Sequence, residues 1–250
     1  MVTFEQTDPL FVIDMLDITD PKIVGQLVIP GYSTYLHPFE DMENGVQYLI
    51  GLGFQTETNE WGGTVTAGIK VDLYEIDYDD IDTEGNVSVE QIHTQTWGSR
   101  GSDSEALYNP RMFVWDEARH MLVLPMILQK EAGGEHCNIE YDANGKEVNR
   151  RCEPSYRYTT TFAGMKAIEI DVVGGIDEKY SYDYTEMLKK DKQVYYDARQ
   201  GEIYPRQFQN LQFRVGYLGD VLFAVNNLFA HFAVMGTNNE QFVDFDAYDL

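Results

Sequence analysis

Apolar positions in this chain come in short runs separated by turn-forming residues, and the first two runs set the scheme for the rest. Leu10 to Ile18 is an apolar run, Thr19-Asp20-Pro21 a turn cluster, and Ile23 to Ile29 a second apolar run. Proline at position 21 fixes φ at about −65° and Asp20 can bond the backbone just downstream, so the chain reverses there. The two runs therefore predict an antiparallel hairpin. A strand stub over Val2 to Glu5 precedes it, and Pro30-Gly31 closes the unit.

The pattern then repeats. Ser33 to Pro38 is a lead-in segment, Val46 to Gly53 a strand, and Thr56 to Gly63 a polar loop carrying Trp61. Gly68 to Asp77, with Ile69, Val71, Leu73 and Ile76 apolar, resembles the first strand of the hairpin, and Val87 to Thr96 resembles the second. A third unit begins at Ser102 and runs through Arg111 to Trp115, a turn over Asp116 to Arg119, and His120 to Leu128. After an excursion over residues 129–157 it resumes with Tyr158 to Phe162, Met165 to Val172 and a polar outer strand, Lys179 to Thr185. A fourth comprises Phe208 to Tyr217, a turn at Leu218-Gly219-Asp220, Val221 to Asn226, Leu228 to Met235 and Gln241 to Tyr248.

Four-stranded antiparallel units in series are the signature of propeller blades. The chain thus predicts an all-β fold of about four blades, a single β-propeller domain or partial propeller over residues 1–250, with a hairpin inserted over 129–157. The unit length of roughly 60 residues exceeds the common propeller repeat, and sandwiches and barrels share this strand spacing.

Composition agrees with the strand reading: 17 tyrosines, 13 phenylalanines and 21 glycines favour strands and turns. The one window with helical character, Tyr184 to Tyr195, is short and mostly polar. A formal net charge of −24 opposes nucleic-acid binding, which needs clustered Lys and Arg, and opposes anionic membranes. It reads either as a solubility adaptation to salty surroundings or as a surface of which part binds cations. No apolar segment reaches the roughly 18 residues of a bilayer span. Met1 is followed at once by strand-like Val-Thr-Phe, without a signal-peptide pattern, so the chain is either cytosolic or lacks its natural start.

The two cysteines bear on that choice. Asn144-Gly145 is a two-residue type I′ hairpin signal. Counting outward from it pairs Ala143 with Lys146, Tyr141 with Val148, Ile139 with Arg150 and Cys137 with Cys152. Opposed strand positions bring two Cβ atoms within disulfide reach. Such a bridge contributes about 3 kcal/mol in the chain-entropy model and implies an oxidising compartment. Reduced thiols are the alternative; a zinc site would need further partners, and only His136 lies nearby.

Several segments resemble the secreted proteins with a C-terminal beta-propeller domain, a bacterial and archaeal family without an established enzymatic activity. They are Thr7 to Asp14, Pro30 to Pro38, Gly101 to Tyr108 and Tyr217 to Phe223, in the family's order. The resemblance implies an extracellular or cell-surface propeller. The family's propeller is longer, and this chain resembles its C-terminal half. Val2-Thr3-Phe4 corresponds to a strand end, so Met1 is expected inside a blade and the signal peptide upstream of the natural start. The cysteine hairpin looks like an insertion. Members often carry a histidine after the Ser-Glu-Ala-Leu-Tyr stretch, where this chain reads Asn109-Pro110, so a two-histidine site is not implied. An open arc exposes broken sheet faces, and the missing part of the propeller is expected from a protein partner, from a second copy, or from residues of the protein beyond this sequence.

Lead-in segments line a propeller's central channel. On that reading Ser33, Tyr35 and His37, then Ser104, Glu105 and Asn109, then Arg214 converge as candidates for binding an anion-bearing ligand or a metal. The plainer reading is that they satisfy backbone groups at strand ends. In the acidic run Asp77 to Gly85, Asp80, Asp82 and Glu84 fit the start of a calcium loop. Gln91 stands where a bidentate glutamate belongs and Glu90 is one residue early, so a solvated loop is the competing reading. Trp61 is a candidate recognition aromatic or an edge cover. There is no Gly-x-Ser-x-Gly, His-Glu-x-x-His or P-loop, and nothing fixes Ser102, Ser104 and His37 as a triad. The reading is a non-catalytic binding or assembly module, with no cofactor expected other than calcium. The competing reading is a metal-assisted hydrolase or lyase around His37 and Glu105.

Overall fold

The computed structural model describes residues 9–43, 45–59, 62–142, 144–185, 196–197, 202–203, 214–225, 229–236 and 242–249. Their strands form one two-stranded hairpin, three four-stranded antiparallel meanders and a minor two-stranded pair. The hairpin is β1 (Leu10–Asp14) with β2 (Lys22–Leu27). The first meander runs β3 (Tyr32–Glu43), β4 (Val46–Thr58), β5 (Thr64–Ile81), β6 (Val87–Trp97). The second runs β7 (Val114–Asp116), β8 (Met121–Tyr141), β9 (Glu147–Asp171), β10 (Gly175–Asp183). The minor pair is β11 (Tyr196–Asp197) with β12 (Glu202–Ile203). The last meander is β13 (Arg214–Leu218), β14 (Val221–Val225), β15 (Phe229–Met235), β16 (Phe242–Asp249). Each strand pairs with its neighbours in sequence, as a blade requires.

The blades stack face on face, and side chains fix the order. The hairpin meets the first meander where a Cβ on Gly25 would lie 2.8 Å from a Val89 methyl and 2.9 Å from one of Val87, so only glycine lets β2 approach β6 this closely. The next junction joins β6 to β10. There His93 Nε2 donates to the Val172 carbonyl at 2.8 Å, while Glu178 accepts from Trp97 Nε1 at 3.2 Å and from Lys166 Nζ at 2.8 Å. The last joins the second meander to the third: Tyr180 Oη and His231 Nε2 are 2.8 Å apart, Tyr182 stacks on His231, and Tyr217 Oη donates to the Trp115 carbonyl at 2.8 Å. Between these junctions lies the apolar core, including Ile50, Leu52, Ile69, Val71 and Leu73 of the first meander and Leu122, Leu124, Met165 and Ile168 of the second.

The cysteine ribbon departs from expectation in a useful way. Cys137 and Cys152 are opposed and joined by a disulfide, as the register count predicts. The turn, however, is not two residues long. Asp142 N–H donates to Lys146 O at 2.8 Å and Gly145 N–H to Asp142 O at 2.9 Å, while the Asp142 carboxylate takes the N–H groups of Asn144 and Lys146. Tyr141 therefore pairs with Glu147 rather than Val148, and Val148 is bulged out. That bulge returns the strands to the register that opposes the two cysteines. Ala143 lies outside the described residues. The 129–157 segment is the outer part of β8 and β9, which run without a break from the blade into the ribbon.

Several strand boundaries also differ, among them β4, which runs on to Thr58 into the expected polar loop, and β10, which is Gly175–Asp183. β1 ends at Asp14 rather than Ile18, because Asp14 Oδ1 accepts the Leu16 N–H and Asp17 Oδ1 the Thr19 N–H, turning the chain early. Tyr158 to Val172 holds one strand rather than two: Gly164 lies so close to the Tyr182 carbonyl that a Cβ there would sit 1.9 Å from it, within a continuous ladder. The Arg111 to Trp115 strand shortens to β7, since Pro110–Met112 forms a 3-10 turn capped by Asn109. The Val2 to Glu5 stub, residues 186–195 of the window with helical character and residues 208–213 of the fourth unit lie outside the described residues.

Candidate functional site

β3 supplies the first group of predicted residues, and a bulge divides them. Ser33 pairs with Gly53 but Tyr35 with Leu52, so Thr34 is the extra residue and reverses which face follows it. Tyr35, His37 and Phe39 consequently face the second meander. Tyr35 and His37 lie 4.8 and 5.1 Å from Phe113 between ring centroids, and Phe39 lies 5.5 Å from Trp115 and 5.0 Å from His120. Tyr35 Oη is 3.3 Å from His37 Nδ1. Burial among these rings holds the His37 imidazole below its ordinary pKa, with the charge of Glu117 acting the other way.

Ser33 points to the opposite face and belongs to a different constellation. Its Oγ is 3.1 Å from Tyr74 Oη, which donates to Asp72 Oδ2 at 2.7 Å. Asp72 also binds Lys70 Nζ at 3.0 Å, Gln91 Nε2 at 2.6 Å and Thr94 Oγ1 at 2.7 Å. Lys70 completes its shell on the Pro30 carbonyl at 2.9 Å. Burial and the Asp72 charge push the Tyr74 phenol well above its ordinary pKa, so it stays a donor to that carboxylate. Beside this network is a cavity of about 260 Å³ lined by residues including Leu10, Phe11, Tyr32, Ser33, Leu36 and Tyr74. Sequence reasoning passed over Lys70, Asp72 and Tyr74. Their alternation with Ile69, Val71 and Leu73 reads as one wet and one dry face, yet β5 is covered on both.

The second group does local work. Ser104 Oγ caps the 3-10 turn Glu105–Leu107 and donates to the Pro125 carbonyl at 2.5 Å. Glu105 accepts from Asn109 Nδ2 at 3.2 Å, and Asn109 Oδ1 accepts the Arg111 N–H at 3.3 Å. Arg214 is exposed at the start of β13, opposite Val225. The structure thus brings Tyr35 and His37 together, and Glu105 and Asn109 together, while Ser33 and Arg214 stand apart from both.

In the acidic run, Asp82 accepts the N–H groups of Glu84 and Asn86 and the Asn86 side-chain amide, and Asp77 accepts those of Asp79 and Asp80. These carboxylates cap their own turn. Among the described residues no three His, Cys, Asp or Glu side chains are grouped so as to hold a metal ion. Trp61 lies outside the described residues. No helix among the described residues is long and apolar enough to cross a membrane.

Comparison with known proteins agrees with the blade series. The chain is 33% identical over 125 residues to an uncharacterized protein of Methanocaldococcus jannaschii, covering 50% of this chain and 16% of that one. It is 36% identical over 125 residues to an uncharacterized protein of Archaeoglobus fulgidus, with the same coverage of each. The match thus spans 16% of the length of these curated relatives. No solved structure matches. The profile of the beta propeller domain matches residues 1–235, and on that match, with the meanders above, the chain belongs to the beta propeller domain family.

Proposed function

We propose that the chain is a non-catalytic binding and assembly module, working outside the cell or at its surface, whose contacts are made by loops at one end of the blades and by exposed apolar blade surface. The observation that carries this reading is the outer face of the β1–β2 hairpin. Gly25 is buried against β6, whereas Phe11, Ile13 and Ile23 are 42%, 51% and 59% exposed. Ile13 and Ile23 are paired across the hairpin, so the apolar positions are contiguous. At the two described junctions between meanders, side chains of one blade meet those of the next. An apolar sheet face of this kind marks an interaction site. The disulfide supports an oxidising location.

Light scattering on the purified chain under oxidising conditions tests the reading. A species larger than one chain is expected, and Ile13→Asp should remove it. A stable monomer with a single cooperative melt would refute the proposal.

A further inference from the structure

The turn that follows the acidic run ends in a motif that no other part of the chain carries. Asn86-Val87-Ser88 is the only Asn-x-Ser or Asn-x-Thr triplet in the sequence, and its middle residue is not proline. Such a triplet accepts an N-linked sugar where the asparagine sits on a surface turn. Here β5 ends at Ile81 and β6 begins at Val87, so Asn86 is the last residue of the connecting turn. Residues 78–85 are all exposed, and four of those eight carry carboxylates. Burying unpaired carboxylates is costly, so this turn stays in water whatever chain lies beyond this sequence. A Cβ on Gly85, next to the asparagine, would meet nothing within 4 Å. The methyls of Val87 and Val89 face Gly25 of β2, which puts the Ser88 hydroxyl on the other face of β6.

Resting on the extracellular reading above, we propose that Asn86 carries an N-linked glycan. The donor is an oligosaccharide held on a lipid phosphate or pyrophosphate. Asn86 Nδ2 forms a bond to the anomeric carbon of the first sugar, and the bond from that carbon to the phosphate oxygen breaks. The lipid phosphate leaves with the electron pair, and one amide proton is released. The turn suits the product as well as the acceptor. Asn86 Nδ2 donates to Asp82 Oδ2 at 3.0 Å, and Asp82 Oδ1 accepts the Asn86 N–H at 2.9 Å. These two bonds hold the Asp82 carboxyl below its ordinary pKa, so it stays an acceptor. A glycosylated amide keeps one N–H for Asp82, so the existing bond would orient the first sugar and leave the turn intact. A glycan here would be bulky and solubilising.

Peptide mapping of the protein purified from the organism that makes it tests the assignment. Trypsin releases residues 71–100 as one peptide, because no Lys or Arg lies between Lys70 and Arg100. Its mass should exceed that of the bare sequence by one or more sugar residues, with fragment ions placing them on Asn86. Ser88→Ala, which leaves Asn86 and its bonds to Asp82 in place, should abolish the shift, and Ser88→Thr should keep it. Labelling of thiols before reduction reports the state of Cys137 and Cys152 in the same sample. A bare peptide from protein with the disulfide intact would overturn the glycan and leave the extracellular reading standing. A bare peptide from protein with free thiols would overturn both. Sugar on Ser88 or on a threonine of the peptide, in place of Asn86, would also overturn the assignment.

Discussion

Lys70 Nζ and Asp72 Oδ2 lie 3.0 Å apart on one face of β5, with both side chains about 1% exposed. Two charges so deeply buried are sustained only by the donors and acceptors around them. Lys70→Met would leave the Asp72 carboxylate without its cation and is expected to cost roughly 3–5 kcal/mol in a urea denaturation series. Lys70→Met combined with Asp72→Asn should recover part of that loss, because no uncompensated charge remains. A double variant as unstable as the sum of the singles would contradict this account.

The junction around His37 makes stability sensitive to acid. Its pKa is lowered in the folded chain, so above about pH 6.5 the ring is neutral in both states and contributes no pH dependence. As pH falls below that value the unfolded chain binds the proton first, and stability declines until the folded pKa is passed. Denaturation midpoints at pH 7.5 and 5.5 should differ more for the wild type than for His37→Gln. An equal difference would remove His37 from the explanation.

Reduction should act on the ribbon and spare the blade. The Cys137–Cys152 bridge closes a separation of 15 residues, for which the chain-entropy model gives about 3 kcal/mol. A two-stranded ribbon without a third strand is marginal by itself. Cys137→Ser with Cys152→Ser should therefore lose amide-exchange protection in the outer parts of β8 and β9, with protection at Leu122 to Leu124 unchanged. Uniform loss through both regions would show that the ribbon and blade unfold together.

Gly53 is predicted to tolerate no side chain. A Cβ there would lie 1.9 Å from the Tyr32 carbonyl and 2.6 Å from Ser33 Cα, both backbone atoms that cannot rotate away. Gly53→Ala must push β3 from β4 where the Thr34 bulge already interrupts the ladder. A loss of about 1–3 kcal/mol in thermal or urea melts is expected.

If apolar blade faces drive self-association, added salt should strengthen it. Each chain carries a formal net charge of −24, so two copies repel, and ions screen that repulsion while leaving apolar burial intact. Sedimentation at 0.1 M and 1 M NaCl should show tighter association at the higher concentration. Weakening instead would point to ion pairs across the contact.

The blade order is legible in the sequence because it depends on period-two alternation and on turn clusters, both of which are local. Sites are less legible because single extra residues redirect them. Nothing in the residues around Thr34 announces a bulge, yet it sends Ser33 to one blade junction and Tyr35 and His37 to another. Lys70, Asp72 and Tyr74 look like a solvent face until neighbouring blades cover both sides of β5. The acidic run is legible as a turn, since Asp77 and Asp82 bond their own downstream backbone.

Val148 is spare length. It has no partner across the ribbon, while Glu147 and Asn149 on either side of it pair with Tyr141 and Glu140. Deleting it would join those two pairs directly and leave every residue behind them, sulfurs included, facing the same neighbour as before. The ribbon's tip can thus shrink by one amino acid without unlatching, whereas the same deletion between Asn149 and Arg151 would slide one sulfur past the other.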